Sequence, residues 1–203
     1  MRILGISGSL RRDSHNTRLL RAAAEMLPPG VELVPFDGLA DVPPYDEDAD
    51  VDPAPAAVQQ LRVAIAAADA LLISTPEYNA SIPGVLKNAI DWASRPYPGN
   101  VLRDKPVLVV GASTGLFGAV WAQAELRKVL KHAGAKVFEE ELAVGLAGGA
   151  FTPEGELADP DLRGRFAVLV ERLANVPDRE HHGRRRGQGD VRSVRERGAR
   201  VGA

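Results

Sequence analysis

The stretch ALLISTPEYNASIPGVLKNAIDWASR, residues 70–95, combines a strand, a turn and a helix in direct succession. Its opening run ALLIST is mostly apolar, which is typical of a strand buried on both faces of a parallel sheet. Apolar residues then recur at helical spacing from Val85 to Ala93, and Pro83 lies at the helix start, where a missing N–H costs no hydrogen bond. The residues between them, 76–82, therefore form a rigid polar turn with one tyrosine at the edge of a sheet.

The alternation of strand and helix recurs along the whole chain. Five strands are predicted, at residues 2–7, 31–36, 70–75, 105–113 and 135–144. Each is followed by a segment in which apolar residues recur at helical spacing. Five such units predict an α/β fold in which helices cover both faces of a parallel sheet.

The composition of the strands predicts their order in the sheet. The first, third and fourth strands are almost wholly apolar, which suits central positions. The second contains Pro35 and the fifth contains three glutamates at 139–141, and proline and charge belong at sheet edges. The predicted order is therefore 2-1-3-4-5, that of the doubly wound, five-stranded, flavodoxin-like sheet. In this fold, ligands bind beyond the carboxyl ends of the strands, beside the first strand.

The composition excludes several classes of function. The 203 residues contain no cysteine, so disulfides and thiolate chemistry are excluded, and four histidines, two of them adjacent near the C-terminus, indicate no metal site. A formal net charge of −2 argues against nucleic acid as the main partner. No apolar run approaches the ~20 residues of a membrane span, and a strand that begins at Arg2 leaves no room for a signal peptide. We therefore expect a cytoplasmic protein.

The chain divides into a folded domain at 1–176 and a polar, arginine-rich tail at 177–203. The tail has few apolar residues, and the sequence predicts that it is disordered, because it cannot bury enough surface to offset its ordering entropy. The acidic stretch at 37–53 has no clear hydrophobic period and is interpreted as a solvated loop.

The loop after the first strand, SGSLRRDSHNTRLL at 7–20, contains the elements of an anion-binding site. A helix is predicted to begin near Asn16, and the free N–H groups of a helix N-terminus attract a phosphate. Hydroxyl, amide and guanidinium donors surround this point: Ser9, Arg11, Arg12, Ser14, Asn16 and Thr17. The loop matches neither the dinucleotide fingerprint G-x-G-x-x-G nor the motif G-x-x-x-x-G-K-[ST]. An N-capped helix entry with surface arginines is the alternative interpretation.

Two further loops follow the third and fourth strands and reach the same edge of the sheet. The turn at 76–82 fits a planar heterocycle, with Tyr78 against the ring and backbone N–H groups donating to it; an ordinary turn is the alternative. The loop GASTGLFGAVW at 111–121 has glycines that permit close approach, and Ser113 and Thr114 can bond a ring carbonyl or a ribityl hydroxyl. Together the three loops describe a site for a mononucleotide with a broad ring system.

At these residues the chain resembles the NADPH-dependent FMN reductase family, flavodoxin-like enzymes that include chromate, quinone and azo-dye reductases. The matching segments are GSLRRDSHN at 8–16, PPYDED at 43–48, TPEYNASIPGVLKNAIDWASR at 75–95, GASTGLFGA at 111–119 and LRKVL at 126–130. The chain departs from many relatives at Ala119, where they have a second glycine, and at Trp121, where they have arginine.

The resemblance implies which residues bind FMN. The expected phosphate ligands are Ser9, Arg11, Asn16 and Thr17, with Ser14 assisting. The expected contacts on the two sides of the flavin ring are Pro76, Glu77, Tyr78 and Asn79 on one side and Ser113, Gly115 and Gly118 on the other. No side chain is expected to act as a catalytic acid, base or nucleophile, because the cofactor carries the chemistry.

The resemblance also implies an activity and partners. Hydride passes from the co-substrate, NADPH or NADH, to FMN, and the electrons then pass to a quinone, flavin, azo compound or metal oxyanion. A homodimer or homotetramer is expected, with Arg127 at a subunit interface. Three alternatives remain: a flavodoxin-like electron carrier, a flavin-binding regulator without NAD(P)H activity, and a binding module whose tail engages nucleic acid. Only Tyr78 is placed to stack on the ring, and the net charge is small, whereas carriers are strongly acidic.

Overall fold

A parallel sheet runs through the protein, and helices join its strands. The computed structural model describes residues 1–176. The strands are β1 (Arg2–Ser7), β2 (Glu32–Pro35), β3 (Ala70–Thr75), β4 (Pro106–Ala112), β5 (Lys136–Val137) and β6 (Ala143–Val144). The helices are α1 (His15–Glu25), α2 (Ala56–Ala67), α3 (Gly84–Ala93), α4 (Val120–His132) and α5 (Pro160–Ala174). The predicted tail at 177–203 lies outside the described residues.

The strand order is β2-β1-β3-β4-β5 and every pairing is parallel, which confirms the predicted flavodoxin-like fold. The fifth strand differs from the prediction of one strand at 135–144. It is divided into β5 and β6, which pair with the beginning and the end of β4 respectively. Between them Glu139, Glu140 and Glu141 are exposed and form ion pairs with Lys131, Arg172 and Arg127. Because successive strand residues face opposite sides of a sheet, a continuous strand would turn at least one of these glutamates toward a helix-covered face.

The apolar strands bury alternate side chains on opposite faces of the sheet. In β3, Leu71 and Ile73 pack with α2, α3 and α4, whereas Ala70 and Leu72 pack with α1 and α5. Both faces of β3 are fully covered, since all six of its residues are buried. This double burial explains why the central strands read as continuous apolar runs.

The acidic stretch at 37–53 is only in part the solvated loop that we predicted. Most of its carboxylates are exposed, but Leu39 and Val42 are buried in the core beneath α2 and α3. Tyr45 packs edge-on against the buried Trp92, with 4.9 Å between the ring centroids. Leu39, Val42 and Tyr45 thus attach this loop to the core, although its charges suggested that it contacts only water.

Among the helices of residues 1–176, none combines the length and the apolar character needed to cross a bilayer.

Candidate functional site

The loops after β1, β3 and β4 emerge side by side at one edge of the sheet. The pairing registers end level, with Ser7 opposite Ser74 and Thr75 opposite Gly111. Because all three strands are parallel, their carboxyl ends meet at this edge. The structure thereby brings the predicted phosphate-binding and ring-binding residues together.

The first loop presents a helix N-terminus with unpaired donors. Ser14 is the N-cap of α1, and its hydroxyl accepts hydrogen bonds from the N–H groups of Asn16 and Thr17. The backbone N–H groups of residues 12–15 have no partner among the described residues. Four free amides at the positive end of a helix form a cradle that suits a phosphate group. The helix begins one residue before the predicted position.

The electrostatic environment of this cradle is positive. Burial lowers the pKa of His15 from its ordinary value, and the charges of Arg11 and Arg18 lower it further. Both effects disfavour the charged form of His15, and the two guanidinium charges that contribute to the lowered pKa favour an anion at the same place. The Arg11 guanidinium is exposed and donates to the carbonyl of Asp13 at 2.5 Å, which holds its side chain over the loop.

The side chain of Asn16 has a structural role that the sequence did not reveal. It is buried, and its amide nitrogen donates to the carbonyl of Ala112 at 3.0 Å. Its oxygen accepts from the Ala112 N–H at 3.0 Å and from the Ser74 hydroxyl at 2.8 Å. Asn16 therefore joins α1 to the ends of β3 and β4, and its contact with a phosphate stays a prediction. Thr17 likewise turns inward and donates to the hydroxyl of Ser7 at 3.1 Å.

The turn after β3 has the geometry of a type I′ turn. Tyr78 and Ser81 exchange both backbone hydrogen bonds, at 3.0 and 3.1 Å. Between them Asn79 and Ala80 have left-handed φ values of 53° and 59°. The Tyr78 side chain is 54% exposed, and the N–H groups of Glu77, Asn79 and Ala80 have no partner among residues 1–176. The turn thus offers an aromatic face and three free donors, which together fit a planar heterocycle.

The Glu77 side chain caps a helix rather than standing free beside the ring site. One of its oxygens, Oε2, accepts from the N–H groups of Trp121 and Ala122 in the first turn of α4, both at 3.0 Å. The N-cap residue of α4 is Ala119, which has no side-chain oxygen to offer. A helix that begins without Ser, Thr, Asp or Asn is the one sequence signal for a cap from a distant residue.

The glycine loop after β4 packs largely against β6. A Cβ on Gly118 would lie 2.6 Å from the backbone of Ala143 and Val144, and its φ is +60°. A Cβ on Gly145 would lie 2.1 Å from the carbonyl oxygen of Leu116. Gly118 therefore permits close approach to protein backbone, and its contact with a flavin stays a prediction. Ala119 has a φ of 66°, which gives a physical reason for the glycine of many relatives.

Two other predicted residues of this loop lie nearer to solvent. Gly115 is exposed, and its N–H donates to the hydroxyl of Ser113 at 3.1 Å. Ser113 itself is half-buried, and its backbone N–H donates to the carbonyl of Val144. This wall of the site is therefore held in place by β6 and its flanking residues.

Exposed apolar side chains concentrate around the three loops. Of the ten large hydrophobic residues that are exposed within residues 1–176, six lie on or beside these loops: Leu10, Tyr78, Leu116, Phe117, Trp121 and Leu146. Phe117 and Trp121 meet edge-to-face with 5.3 Å between ring centroids. An apolar patch of this kind marks a surface that binds a ligand or another protein.

Neither the grooves nor the groups of acidic and histidine side chains among the described residues indicate a different site. A groove of about 1190 Å³ lies between α1, α5 and the hairpin at 151–157, but none of the predicted site residues lines it. Within residues 1–176, no three His, Asp or Glu side chains are grouped closely enough to hold a metal ion.

Comparison with known proteins identifies the family. The sequence model of the NADPH-dependent FMN reductases matches residues 1–149, well over half of the 203 residues. The chain belongs to this family. It is therefore an oxidoreductase that uses FMN and NAD(P)H, as the resemblance implied, and the family favours an enzyme over an electron carrier or a binding module.

Individual proteins are similar to this chain over most of their length. An NAD(P)H-dependent FMN reductase of Pseudomonas aeruginosa is 44% identical, over 80% of this chain and 88% of that protein. A quinone reductase of Escherichia coli K12 is 38% identical, over 87% of this chain and 97% of that protein. The solved structure of a flavoenzyme NAD(P)H:(acceptor) oxidoreductase from Paracoccus denitrificans superposes with a TM-score of 0.77 at 35% identity, over 85% of this chain and 94% of that one.

Proposed function

We propose that this family member passes electrons from NAD(P)H to a quinone at the edge formed by the loops after β1, β3 and β4. When bound there, FMN would supply the redox chemistry that links hydride donation by the nicotinamide to reduction of the acceptor. The observation that carries the proposal is the convergence of two groups of unpaired backbone donors, at 12–15 and at 77, 79 and 80. One group lies in a positively charged cradle and the other beside an exposed tyrosine, which suits the phosphate and the ring of FMN respectively.

The cradle at the start of α1 would hold the phosphate. Arg11 supplies a full positive charge, and Ser9 and Ser14 supply hydroxyl groups beside the free helix amides. Thr17 would support the cradle through its inward hydrogen bond to Ser7. The Asn16 side chain would act here by keeping the cradle in register with β4, because its amide already bonds to Ala112. A dianion at this point would meet a helix dipole, free N–H groups and an arginine together.

The turn and the glycine loop would grip the ring. Pro76 stiffens the exit from β3, and the N–H groups of Glu77 and Asn79 are free to donate to ring atoms. Tyr78 lies exposed beside them, and the loop that carries Ser113, Gly115 and Gly118 closes the other side. No carboxylate, imidazole or hydroxyl of the chain is assigned a proton-transfer role.

A quinone is the acceptor class that suits the surroundings of the ring. The patch beside the turn is apolar and aromatic, with Leu116, Phe117 and Trp121 each at least half exposed. A flat, conjugated acceptor such as a quinone gains contact with such a surface, whereas a small metal oxyanion does not. The quinone reductase among the relatives supports the same choice. We expect the reaction in the cytoplasm, where NAD(P)H is available.

We also propose that the enzyme is a homodimer or homotetramer in which a neighbouring subunit completes the acceptor pocket. The support is the exposure of the apolar side chains around the three loops. Arg127, predicted at a subunit interface, pairs with Glu141 of its own subunit at 3.0 Å. Light scattering of the purified protein tests this part, and a monomer at micromolar concentration would contradict it.

Turnover of the purified protein tests the proposed reaction. The protein is loaded with FMN, and oxidation of NADPH and of NADH is followed with menadione, free FMN, an azo dye and ferricyanide. We expect bound flavin and turnover that is fastest with the quinone. A flavin-loaded protein that oxidises neither nucleotide would be a carrier, and a protein that binds no FMN would refute the proposed site.

A further inference from the structure

The turn at 76–81 is connected to α4 at both of its ends. At one end, Glu77 Oε2 accepts from Trp121 N–H and Ala122 N–H, both at 3.0 Å. At the other, the Ser81 hydroxyl donates to Glu125 Oε2 at 2.5 Å. These two connections bracket the three residues that carry the aromatic ring and two of the free N–H groups.

Apart from the two backbone hydrogen bonds between Tyr78 and Ser81, the bracketed residues make no hydrogen bond with the rest of residues 1–176. Residues 78–80 are all exposed, and two of them have left-handed backbone conformations. The positions of their N–H groups and of the Tyr78 ring therefore depend on the two ends of the turn. Since α4 is packed into the core through Leu126 and Leu130, it is a rigid support for them.

We propose that Glu77 is a positioning residue for the flavin. Its carboxylate fixes the ring-gripping turn to the N-terminus of α4 and thereby fixes the direction of the free N–H groups. This inference rests on the proposed function, and it assigns the Glu77 side chain no contact with the substrate.

The charge of Glu77 has a second consequence that a purely structural cap does not have. The carboxylate offsets the positive end of α4 and belongs to a residue whose own N–H is free for the ring. A negative charge so close to the turn opposes the negative charge that a flavin gains on reduction. Glu77→Gln keeps an oxygen for the two N–H groups and removes the charge, so the bound flavin should become easier to reduce.

The chain offers a matched control in Asp159. Its carboxylate caps α5 in the same way, accepting from Asp161 N–H at 2.9 Å and Leu162 N–H at 3.3 Å, and it belongs to none of the three site loops. Asp159→Ala therefore removes an equivalent cap while leaving the turn attached to α4. Any effect that Glu77→Ala shares with Asp159→Ala is general helix destabilisation.

The test compares wild type, Glu77→Ala, Glu77→Gln, Ser81→Ala and Asp159→Ala. FMN affinity is measured by quenching of flavin fluorescence, apoprotein stability by thermal melting, and the midpoint potential of bound flavin with a reference dye. We expect about tenfold weaker FMN binding in Glu77→Ala, a smaller loss of the same kind in Ser81→Ala, and wild-type affinity in Asp159→Ala. Glu77→Gln should bind FMN within about twofold of wild type and shift the potential to a more positive value.

Wild-type FMN affinity in folded Glu77→Ala would overturn the inference, as would an equal loss in Asp159→Ala. An unchanged potential in Glu77→Gln would also count against it. If Glu77→Ala does not fold, Ser81→Ala and Glu77→Gln still decide the question, and wild-type values for both would overturn it. Failure of the wild-type protein to bind FMN is a separate result, which would refute the proposed function itself.

Discussion

Two asparagines of the candidate site, Asn16 and Asn79, are both expected from the sequence to contact FMN, but they lie in opposite environments in the structure. Asn16 is only 2% exposed, and its side chain bonds to the ends of β3 and β4. Asn79 is exposed, has a left-handed φ of 53°, and its backbone N–H is free. The first residue assembles the edge of the sheet, and the second faces whatever binds there.

The same division separates the two glycines of the loop after β4. Gly118 allows that loop to lie against β6, whereas Gly115 is exposed at its tip. The matched segments therefore contain two classes of residue, those that hold the three loops together and those that present donors and aromatic surface. Changes in the first class should act on the stability of the fold, and changes in the second on FMN affinity.

The largest expected effect is that of Asn16→Ala on stability. The substitution leaves the Ser74 hydroxyl and both backbone groups of Ala112 without partners in the interior, which costs about 3 kcal/mol in the free energy of unfolding. Urea denaturation of the apoprotein measures it. Asn79→Ala is the control: it buries no unpaired group and should lose only about 1 kcal/mol, the strain of an alanine in a left-handed conformation. Equal losses of unfolding free energy in the two variants would mean that Asn16 does not hold the loops together any more than Asn79 does.

Arg11→Ala should weaken FMN binding without affecting stability, the reverse of what we expect for Asn16→Ala. Loss of a charge-assisted bond to the phosphate should weaken FMN binding by about 1.5–3 kcal/mol, or roughly 12- to 140-fold. The urea midpoint of the apoprotein should not move, because the Arg11 side chain is exposed. Arg21→Ala removes an exposed arginine further along α1 and serves as the control. Unchanged FMN affinity in Arg11→Ala would mean that the first loop is not the phosphate cradle.

Tyr78→Ala should have a moderate effect confined to the cofactor. Removal of an aromatic face should weaken FMN binding by about 0.5–1.5 kcal/mol, or roughly 2- to 12-fold, without a change in apoprotein melting. The comparison variant is Tyr97→Ala, since Tyr97 is also exposed and lies outside the three loops. A fall in melting temperature without a change in flavin binding would show that Tyr78 stabilises the fold and does not bind the cofactor.

The smallest effect is expected for Ala80→Gly. A left-handed residue in a type I′ turn is strained as alanine and relaxed as glycine, so the variant should be more stable by about 0.5–1 kcal/mol. Urea denaturation is again the measurement. Ala124→Gly, in the exposed face of α4, should lose about 1 kcal/mol instead. A loss of stability in Ala80→Gly would indicate that the alanine methyl group makes a contact that outweighs the strain.

Much of this organisation was predictable. The hydrophobic periods located the strands and the helix after β3, and the charge and proline content of the second and fifth strands placed them at the edges. The prediction of one continuous fifth strand was wrong. Its three adjacent glutamates form ion pairs outside the sheet, where the chain leaves β5 before it pairs again as β6. The buried anchors of the 37–53 loop were missed because Leu39 and Val42 stand among acidic residues.

By itself, the sequence determined the order of the elements, the sheet edge at which the three loops meet, and the family to which their motifs belong. These properties depend on the hydrophobic period within each segment and on the common geometry of parallel strands. Neither depends on which distant residues a segment contacts. Only the tertiary structure decided which motif residues hold the edge together. Asn16 bonds to a residue 96 positions away and Glu77 to one 44 positions away. Such pairings depend on how whole elements pack, because hydrogen-bond partners are set by separation in space rather than along the chain.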